Sequence, residues 1–257
     1  MTLAPASDFD VTALAAVFTA GYEGYFVPLH VDEAALRFMV DAWDIDLDRS
    51  RVALEDGEPV GLAFLAVRGD SAWIGGVGVA LASRGRGIGR RLMEAVLAEA
   101  PRPVTLEVIE QNETAKRLYD SLGFEVVRML EVWSLTEEAP ASTARPLDDP
   151  RPLGQASLPW QRQDASLPES FEGVETDGGT ALFRVANGRV SVLQLEAADE
   201  EAAATLLAAT RARGTSLHYV NVPEGDPASA ALARLGGTLD LRQFEMSLSA
   251  RSSAPRG

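Results

Sequence analysis

Cysteine is absent from the 257 residues. Disulfides, thiolate metal sites and cysteine nucleophiles are therefore excluded. Histidine is scarce too: only His30 and His218 occur, far apart. A histidine-rich metal centre is not expected, and no metal is assigned. Positive charge is short: 23 Lys and Arg against 38 Asp and Glu give a formal net charge of −15. Such a chain repels nucleic acid and an anionic membrane surface, so neither is expected as a partner, whereas an amine is tolerated. No apolar run approaches the roughly 20 residues of a membrane-spanning helix. The stretch Met1 to Phe9 has neither a basic region nor a long apolar run, so it does not read as a signal peptide. The default expectation is a soluble cytoplasmic protein. Apolar content, by contrast, is ample: 46% of the residues are hydrophobic, enough for one large domain or two small ones.

Asp8 to Ala20 reads as a helix, with Leu14, Val17 and Phe18 at helical spacing and Asp8 or Asp10 as cap. Gly21 to His30 breaks that pattern with aromatic and polar residues. Asp32 to Trp43 reads as a second helix. Strands are expected over Ser50–Glu55, Val60–Val67 and Ala72–Val79, the first turn marked by Asp56-Gly57 and the second by Gly69-Asp70. They form an antiparallel meander. A helix over Arg86–Ala100 ends at Pro101. A strand over Pro103–Val108, a helix capped by Asn112 and ended by Gly123, and a strand over Glu125–Leu135 complete the half.

Between Glu137 and Glu169 proline, serine and aspartate dominate, which reads as a linker or a long irregular connection, with room for one isolated strand at Leu158–Arg162. The last third repeats the first half in shortened form: strands at Ala181–Val185 and Arg189–Leu195 joined by Asn187-Gly188, a helix over Glu200–Arg213, a strand over Ser216–Val222, a helix over Pro227–Leu235 and a strand over Leu239–Leu248. The text repeats as well. LEVIEQNETAKRLYDSLGF from Leu106 echoes VNVPEGDPASAALARLGG from Val220, and VRMLEVWSL from Val127 echoes LRQFEMSL from Leu241, both at an offset of 114. Duplication of one unit explains this; shared strand-turn-helix-strand composition is the rival explanation. The expected division is residues 1–136, a linker or irregular connection at 137–168, a second domain at 169–250 and a disordered tail at 251–257.

The stretch from Val77 to Leu92, VGVALASRGRGIGRRL, ends a strand, runs through alternating glycines and opens an amphipathic helix. Glycine lets the backbone approach a ligand and take positive φ. Successive N–H groups can then converge on an anion at a helix N-terminus, with Arg84 and Arg86 as cationic donors. Together these describe a pyrophosphate cradle. No Gly-Lys-Ser/Thr ending is present, so a Walker loop is excluded. The dinucleotide fingerprint fails as well, because its third glycine position falls on Arg90. The spacing R-x-x-G-x-G remains, on Arg84, Gly87 and Gly89. A second segment, Asn112, Ala115, Leu118, Tyr119, Leu122, Gly123 and Phe124, follows after one strand.

In these two segments, their order and their separation, the chain resembles the GNAT (GCN5-related) N-acetyltransferases over roughly Asp8 to Leu135. The resemblance implies an α/β fold of the α+β kind: two GNAT-like units, each a mixed, mostly antiparallel sheet flanked by helices. It implies acetyl-CoA as co-substrate and direct acyl transfer to an amine, in an N-acetyltransferase domain at 1–136. Cofactor-binding residues are then Val77, Gly78 and Val79 along the strand, Arg84, Gly85, Arg86, Gly87, Ile88, Gly89 and Arg90 in the loop, and Asn112 and Ala115 beyond it. Tyr119 matches the family's general acid. Glu107 is the first choice as base. Tyr22, Glu23, Tyr25, Phe26 and His30 lie where the family builds its acceptor pocket.

Blander readings stand beside these. The glycines of Gly75, Gly76 and Gly78 suggest a bulge, or else tight packing against a helix. Asn112 serves equally as a plain helix cap. Tyr119 serves equally as a core ring. In the second half the loop's counterpart is EAADEEAAATLL, acidic and without glycine, and Leu232 stands about where Tyr119 would. That half is expected to be a degenerate GNAT-like unit that binds no coenzyme and packs against the first half, supports its acceptor cleft or mediates a homodimer. Two rival functions are a non-catalytic acyl-CoA-binding regulatory module and a scaffold acting through the second half.

Overall fold

The computed structural model describes residues 1–27 and 29–249, so the tail expected at 251–257 lies outside the described residues. The chain forms two compact units: unit 1 holds residues from Met1 to Val127 and from Glu245 onward, and unit 2 runs from Arg128 to Phe244. This division differs from the expected boundaries. It falls early in the strand at Glu125–Leu135, and only the end of the chain's last strand, from Glu245, is in unit 1.

Unit 1 begins with β1 (Thr2–Pro5), α1 (Val11–Gly21) and α2 (Glu33–Ala42). Asp10 and Asp32 accept the N–H groups of Ala13 and Ala35 at 2.7 and 2.8 Å, which starts each helix where its first orphan donors need a partner. The meander follows as β2 (Arg51–Glu55), β3 (Glu58–Arg68) and β4 (Ser71–Val79). Asp56 and Gly57 both take positive φ, 52° and 90°, as a tight hairpin turn requires. Then come α3 (Ile88–Glu99), β5 (Val104–Ile109) and α4 (Glu113–Ser121). The sheet order is β1-β2-β3-β4-β5, antiparallel except for the parallel pair β4–β5. β1 was not expected. It is a four-residue strand against β2, too short to show a period.

β3 is the centre of this unit. Gly61 to Ala66 are all buried, with α1 packed against the strand and α3 packed against it too. A strand covered on both faces reads as a continuous apolar run. Phe18 of α1 stacks on Phe64 at 5.8 Å, and Leu92, Met93 and Val96 of α3 are fully buried. Each such side chain contributes about 1.5–3 kcal/mol on burial.

Unit 2 begins within β6 (Glu125–Leu135) and continues with β7 (Arg145–Pro146), β8 (Glu172–Thr176), β9 (Gly179–Ala186), β10 (Arg189–Ala197), α5 (Glu200–Arg211), β11 (Ser216–Pro223), α6 (Pro227–Arg234) and most of β12 (Thr238–Leu248). Here the order is β6-β11-β10-β9-β8-β7, with β10–β11 parallel. From β8 to β12 the elements repeat the succession from β2 to β6. The hairpin at Asn187-Gly188 again has two positive φ values, 51° and 76°. One core joins Leu135, Phe183, Leu195, Leu206, Leu207, Tyr219 and Leu232.

The segment at 137–168 is part of unit 2 and is buried in places. Trp160, Arg162 and Ser166 are buried. The strand expected at Leu158–Arg162 is a 3₁₀ turn, Trp160–Arg162, followed by another at Asp164–Ser166. Pro159 has no N–H for a ladder, and its carbonyl instead accepts the Arg162 N–H at 2.8 Å, closing a turn. Among the described residues no helix is long and apolar enough to cross a membrane.

α1 ends against β4 at a contact between two glycines. A Cβ on Gly21 would lie 2.7 Å from the Cα of Gly78, which is backbone and cannot swing away. Gly21→Val is therefore expected to lower the unfolding free energy by about 1–3 kcal/mol. A urea titration with an unshifted midpoint would contradict the close approach.

Candidate functional site

The site grows from an opening in the sheet of unit 1. The ladder between β4 and β5 covers only Ala72↔Val104 and Trp73↔Thr105, although β4 runs on to Val79 and β5 to Ile109. On its other edge β4 stays paired with β3, with a register shift that leaves Gly75 as the extra residue of a bulge. A Cβ there would meet the Trp73 ring at 2.4 Å. So the bulge reading holds at Gly75. The packing reading holds at Gly76 and Gly78, where a Cβ would meet Phe18 at 2.8 Å and Gly21 at 3.0 Å.

Past Val79 the chain turns at Leu81–Ser83 and enters α3. Gly85 and Gly87 have φ of 77° and 78°, and nothing lies within 4 Å of a Cβ built on either. No side chain caps α3, whereas Asp10, Asp32, Asn112, Asp199 and Asp226 cap the other α-helices among the described residues. The first N–H groups of α3 thus lack both an intrahelical acceptor and a capping side chain. Ile88 is buried, and Gly89 sits close to Leu118 of α4.

Arg84 differs from expectation. Its guanidinium donates to the carbonyls of Val79 (2.9 Å), Gly21 (3.0 Å) and Glu23 (2.7 Å), so its donors serve the orphan carbonyls at the end of α1. Arg86 is bound by Glu55 at 2.7 Å, and Ser83 donates to the same carboxylate. Arg90 donates to Ser121 at 2.5 Å. Glu55 had no signal in the sequence: it is part of no motif, and only the fold brings it to Arg86.

Three phenols gather near the opening. Tyr22 stacks on Phe18 at 4.7 Å and meets Tyr25 edge-on at 5.0 Å. The Tyr25 hydroxyl accepts from Asn112 at 3.4 Å, while the Asn112 side-chain oxygen accepts the Ala115 N–H at 3.1 Å. Asn112 is therefore a helix cap as well as a partner of Tyr25. Tyr119 is buried and packs against Phe124 at 6.0 Å. Burial raises the Tyr119 phenol well above its ordinary value, with Tyr25 adding to the shift. Burial also raises Tyr22, helped by Tyr119 and Tyr25 and offset in part by the Val77 backbone. Tyr25 is raised by burial, with Asn112 opposing.

A cavity of about 450 Å³ opens beside them, lined by Tyr22, Glu23, Tyr25, His30, Thr19 and Leu29 among others. Four of the five residues expected in an acceptor pocket meet there. Phe26 is outside that lining: it is 55% exposed and touches Tyr25 edge-on. Glu107 is half-buried on β5, where it accepts the Trp73 indole N–H at 2.7 Å, and Trp73 in turn packs on Trp43 at 5.7 Å. Glu107 does not line the cavity. Trp73 was missed in the sequence, where it reads as an ordinary strand residue. Among the described residues no group of three or more Asp, Glu or His sits as a metal site.

Residues 17–124 match the model of the Acetyltransferase (GNAT) family. A protein of Pseudomonas phage PaMx11 named 5-NmdU N-acetyltransferase is 45% identical over 51 residues, which is 20% of this chain and 36% of that protein. The match thus spans about a third of the relative's length. Two solved structures share the fold over nearly the whole chain. One is a GCN5-related N-acetyltransferase from Sphaerobacter thermophilus (TM-score 0.68, 20% identity, 93% of this chain and 92% of that one). The other is a tandem GNAT protein from the clavulanic acid biosynthesis pathway (TM-score 0.62, 16% identity, 98% and 100%).

All four tyrosines of the chain are raised, Tyr219 to about 12. Folded phenols that hold their protons above the unfolded value of about 10 add stability below that pH, and the contribution falls as pH rises past it. Alkaline titration should therefore show most tyrosinate appearing in one cooperative step, together with the loss of circular dichroism. Gradual ionisation of three or more tyrosines in folded protein near pH 10 would contradict the burial.

Proposed function

We propose, from the premise that residues 17–124 belong to the GNAT acetyltransferase family, that unit 1 moves the acetyl group of acetyl-CoA to a primary amine of a small molecule or peptide by direct attack. The start of α3 carries this reading. It joins an uncapped helix N-terminus, two glycines at positive φ and an unobstructed approach to both, at the end of a strand that has parted from its neighbour. Those features fit a diphosphate, which binds bare amides and a helix dipole.

Acetyl-CoA would supply an activated thioester carbonyl. Ile88, Gly89 and Arg90 would offer backbone N–H groups to its diphosphate, with Gly85 and Gly87 shaping the approach and Arg86 at the rim. Arg84 would act mainly through its charge and backbone, because Nε and Nη2 already serve three carbonyls and only Nη1 is left to reach a ligand. Backbone groups of Val77, Gly78 and Val79 would meet the pantetheine arm along the parted edge. The carbonyl of Val79 already accepts from Arg84, so its amide is the group left to offer. Asn112 and Ala115 would border the arm where α4 begins.

The amine would enter through the cavity of Tyr22, Tyr25, Glu23 and His30. Glu107, steered by the Trp73 indole, remains the first choice to take its proton, and Glu23 and His30 are the cavity's own candidates. Burial favours the protonated form of Tyr119, the form that would donate to the departing thiolate. The phage relative's name supports an amine acceptor for the matched segment. Unit 2 is read as degenerate: Asp199 caps α5 by accepting the Ala202 N–H at 2.9 Å, and Glu200 and Glu201 fill its first turn. That helix start is already satisfied and repels an anion.

Thiol release from acetyl-CoA against a panel of amines, polyamines, aminoglycosides and peptides tests the activity. Gly87→Glu puts a carboxylate into the cradle and should weaken acetyl-CoA binding by about a hundredfold or more; unchanged affinity by calorimetry would sink the cradle. Tyr119→Phe should lower kcat by about tenfold to a hundredfold with little change in acetyl-CoA affinity. Equal turnover would remove the acid role.

A further inference from the structure

Unit 2 has an opening of its own. β10 and β11 share a ladder only from Arg189↔Ser216 to Val192↔Tyr219, yet β10 continues to Ala197 and β11 to Pro223. The outer edge of β10 is bulged at Leu193 against β9, as β4 is at Gly75 against β3. On β11 the register against β6 breaks between Tyr219 and Val222, and Asn221 takes a φ of 57°. Facing strand edges that part leave backbone groups in need of partners.

The partners come from the segment that the sequence presents as a linker. Arg162, 2% exposed, donates to the Leu193 carbonyl of β10 at 3.4 Å, to the Asn221 carbonyl of β11 at 2.9 Å and to the Tyr219 hydroxyl. Gln155 donates to the Leu195 carbonyl at 3.1 Å. Gln194, fully buried, holds the segment from the strand side: it accepts the Leu153 N–H at 2.9 Å and donates to the Arg162 carbonyl at 2.9 Å and to Asp164 at 2.8 Å. A buried guanidinium is costly unless its donors are used, and these reach across both strands.

We infer that residues 153–166 are a built-in ligand of unit 2, seated between β10 and β11 with Arg162 as the bolt, in the place that unit 1 offers to the acyl-CoA arm. The comparison with unit 1 rests on the function proposed above; the seating of the segment does not. The consequence is that the chain holds at most one acyl-CoA, and that unit 2 is closed by its own backbone as well as by its acidic helix start.

Hydrogen–deuterium exchange on the full-length protein tests this directly. Amides of 160–167 should exchange at least about a hundredfold more slowly than an unstructured linker, with or without acetyl-CoA. Arg162→Ala should speed exchange at 153–167 and at 193–197 and 219–223 by about tenfold or more, with unit 1 unaffected, and millimolar ethylguanidinium should restore the slow rate. Calorimetry should find no more than one acetyl-CoA per chain. Linker-like exchange in the wild type, an Arg162→Ala variant with unchanged exchange, or two acetyl-CoA per chain would each overturn the inference. If Arg162→Ala fails to fold, the wild-type exchange decides. If no acetyl-CoA binds while 160–167 exchange slowly, the function proposed for unit 1 fails and the built-in ligand stands.

Discussion

The interruption of the parallel ladder after Trp73 and Thr105 is the constraint on which unit 1 depends. A sheet that closes normally spends its edge amides and carbonyls on the next strand. Here β4 cannot, and the surrounding sequence is shaped by that. The bulge at Gly75 bends the strand away from β5, and only a residue without Cβ tolerates the Trp73 ring so close. Gly21 and Gly78 let α1 end against the parted strand. The carbonyls left at the end of α1 are then taken by Arg84, which anchors the loop that starts α3. One gap thus accounts for two glycine contacts, one bulge and the commitment of an arginine.

Unit 2 meets the same constraint with opposite chemistry. Its parallel ladder also stops early, and a bulge again marks the strand beside the gap. The helix that follows is capped by Asp199 and has two acidic residues in its first turn, whereas α3 has neither a side-chain cap nor an acidic residue there. The gap itself is bridged by Arg162, with Gln155 donating to the β10 side. In unit 2 three carbonyls along the parted strands and one N–H at the helix start are each matched by a side chain that satisfies them. The two units therefore share an architecture and differ in whether its polar edges are left available.

Much of this was legible in the sequence, because it rests on local rules. The strand from Glu125 to Leu135 appears with the predicted ends, and both type I′ signals, Asp56-Gly57 and Asn187-Gly188, form hairpins with paired positive φ. The glycine loop, the Asn112 cap and the crowding of Tyr22, Glu23, Tyr25 and His30 around one cavity also follow from short segments. What was not legible depends on distant partners. Glu55 reaching Arg86, Trp73 holding Glu107, and Arg84 turning to α1 are contacts between residues tens of positions apart. The stretch around Arg162 shows why composition misleads: proline and serine remove periodicity, yet two short turns place a buried guanidinium across a sheet.

An anion cradle in a chain of net charge −15 also needs a source of attraction. The two arginines that the sequence offers contribute differently. Arg86 keeps its side chain near the surface, but Glu55 cancels most of its charge. Arg84 has given Nε and Nη2 to three neutral carbonyls, which hold the guanidinium in place without compensating its positive charge. On the function proposed above, most of the contact with a diphosphate would fall to backbone amides, and Arg84 would supply field from behind them. Backbone amides at a helix start carry a fixed dipole that needs no counter-charge and suffers no side-chain entropy loss on binding. Such a division would let a strongly acidic protein keep a local anion site: the groups touching the anion would be mostly uncharged, and the Arg84 charge behind them is held in place by the end of α1.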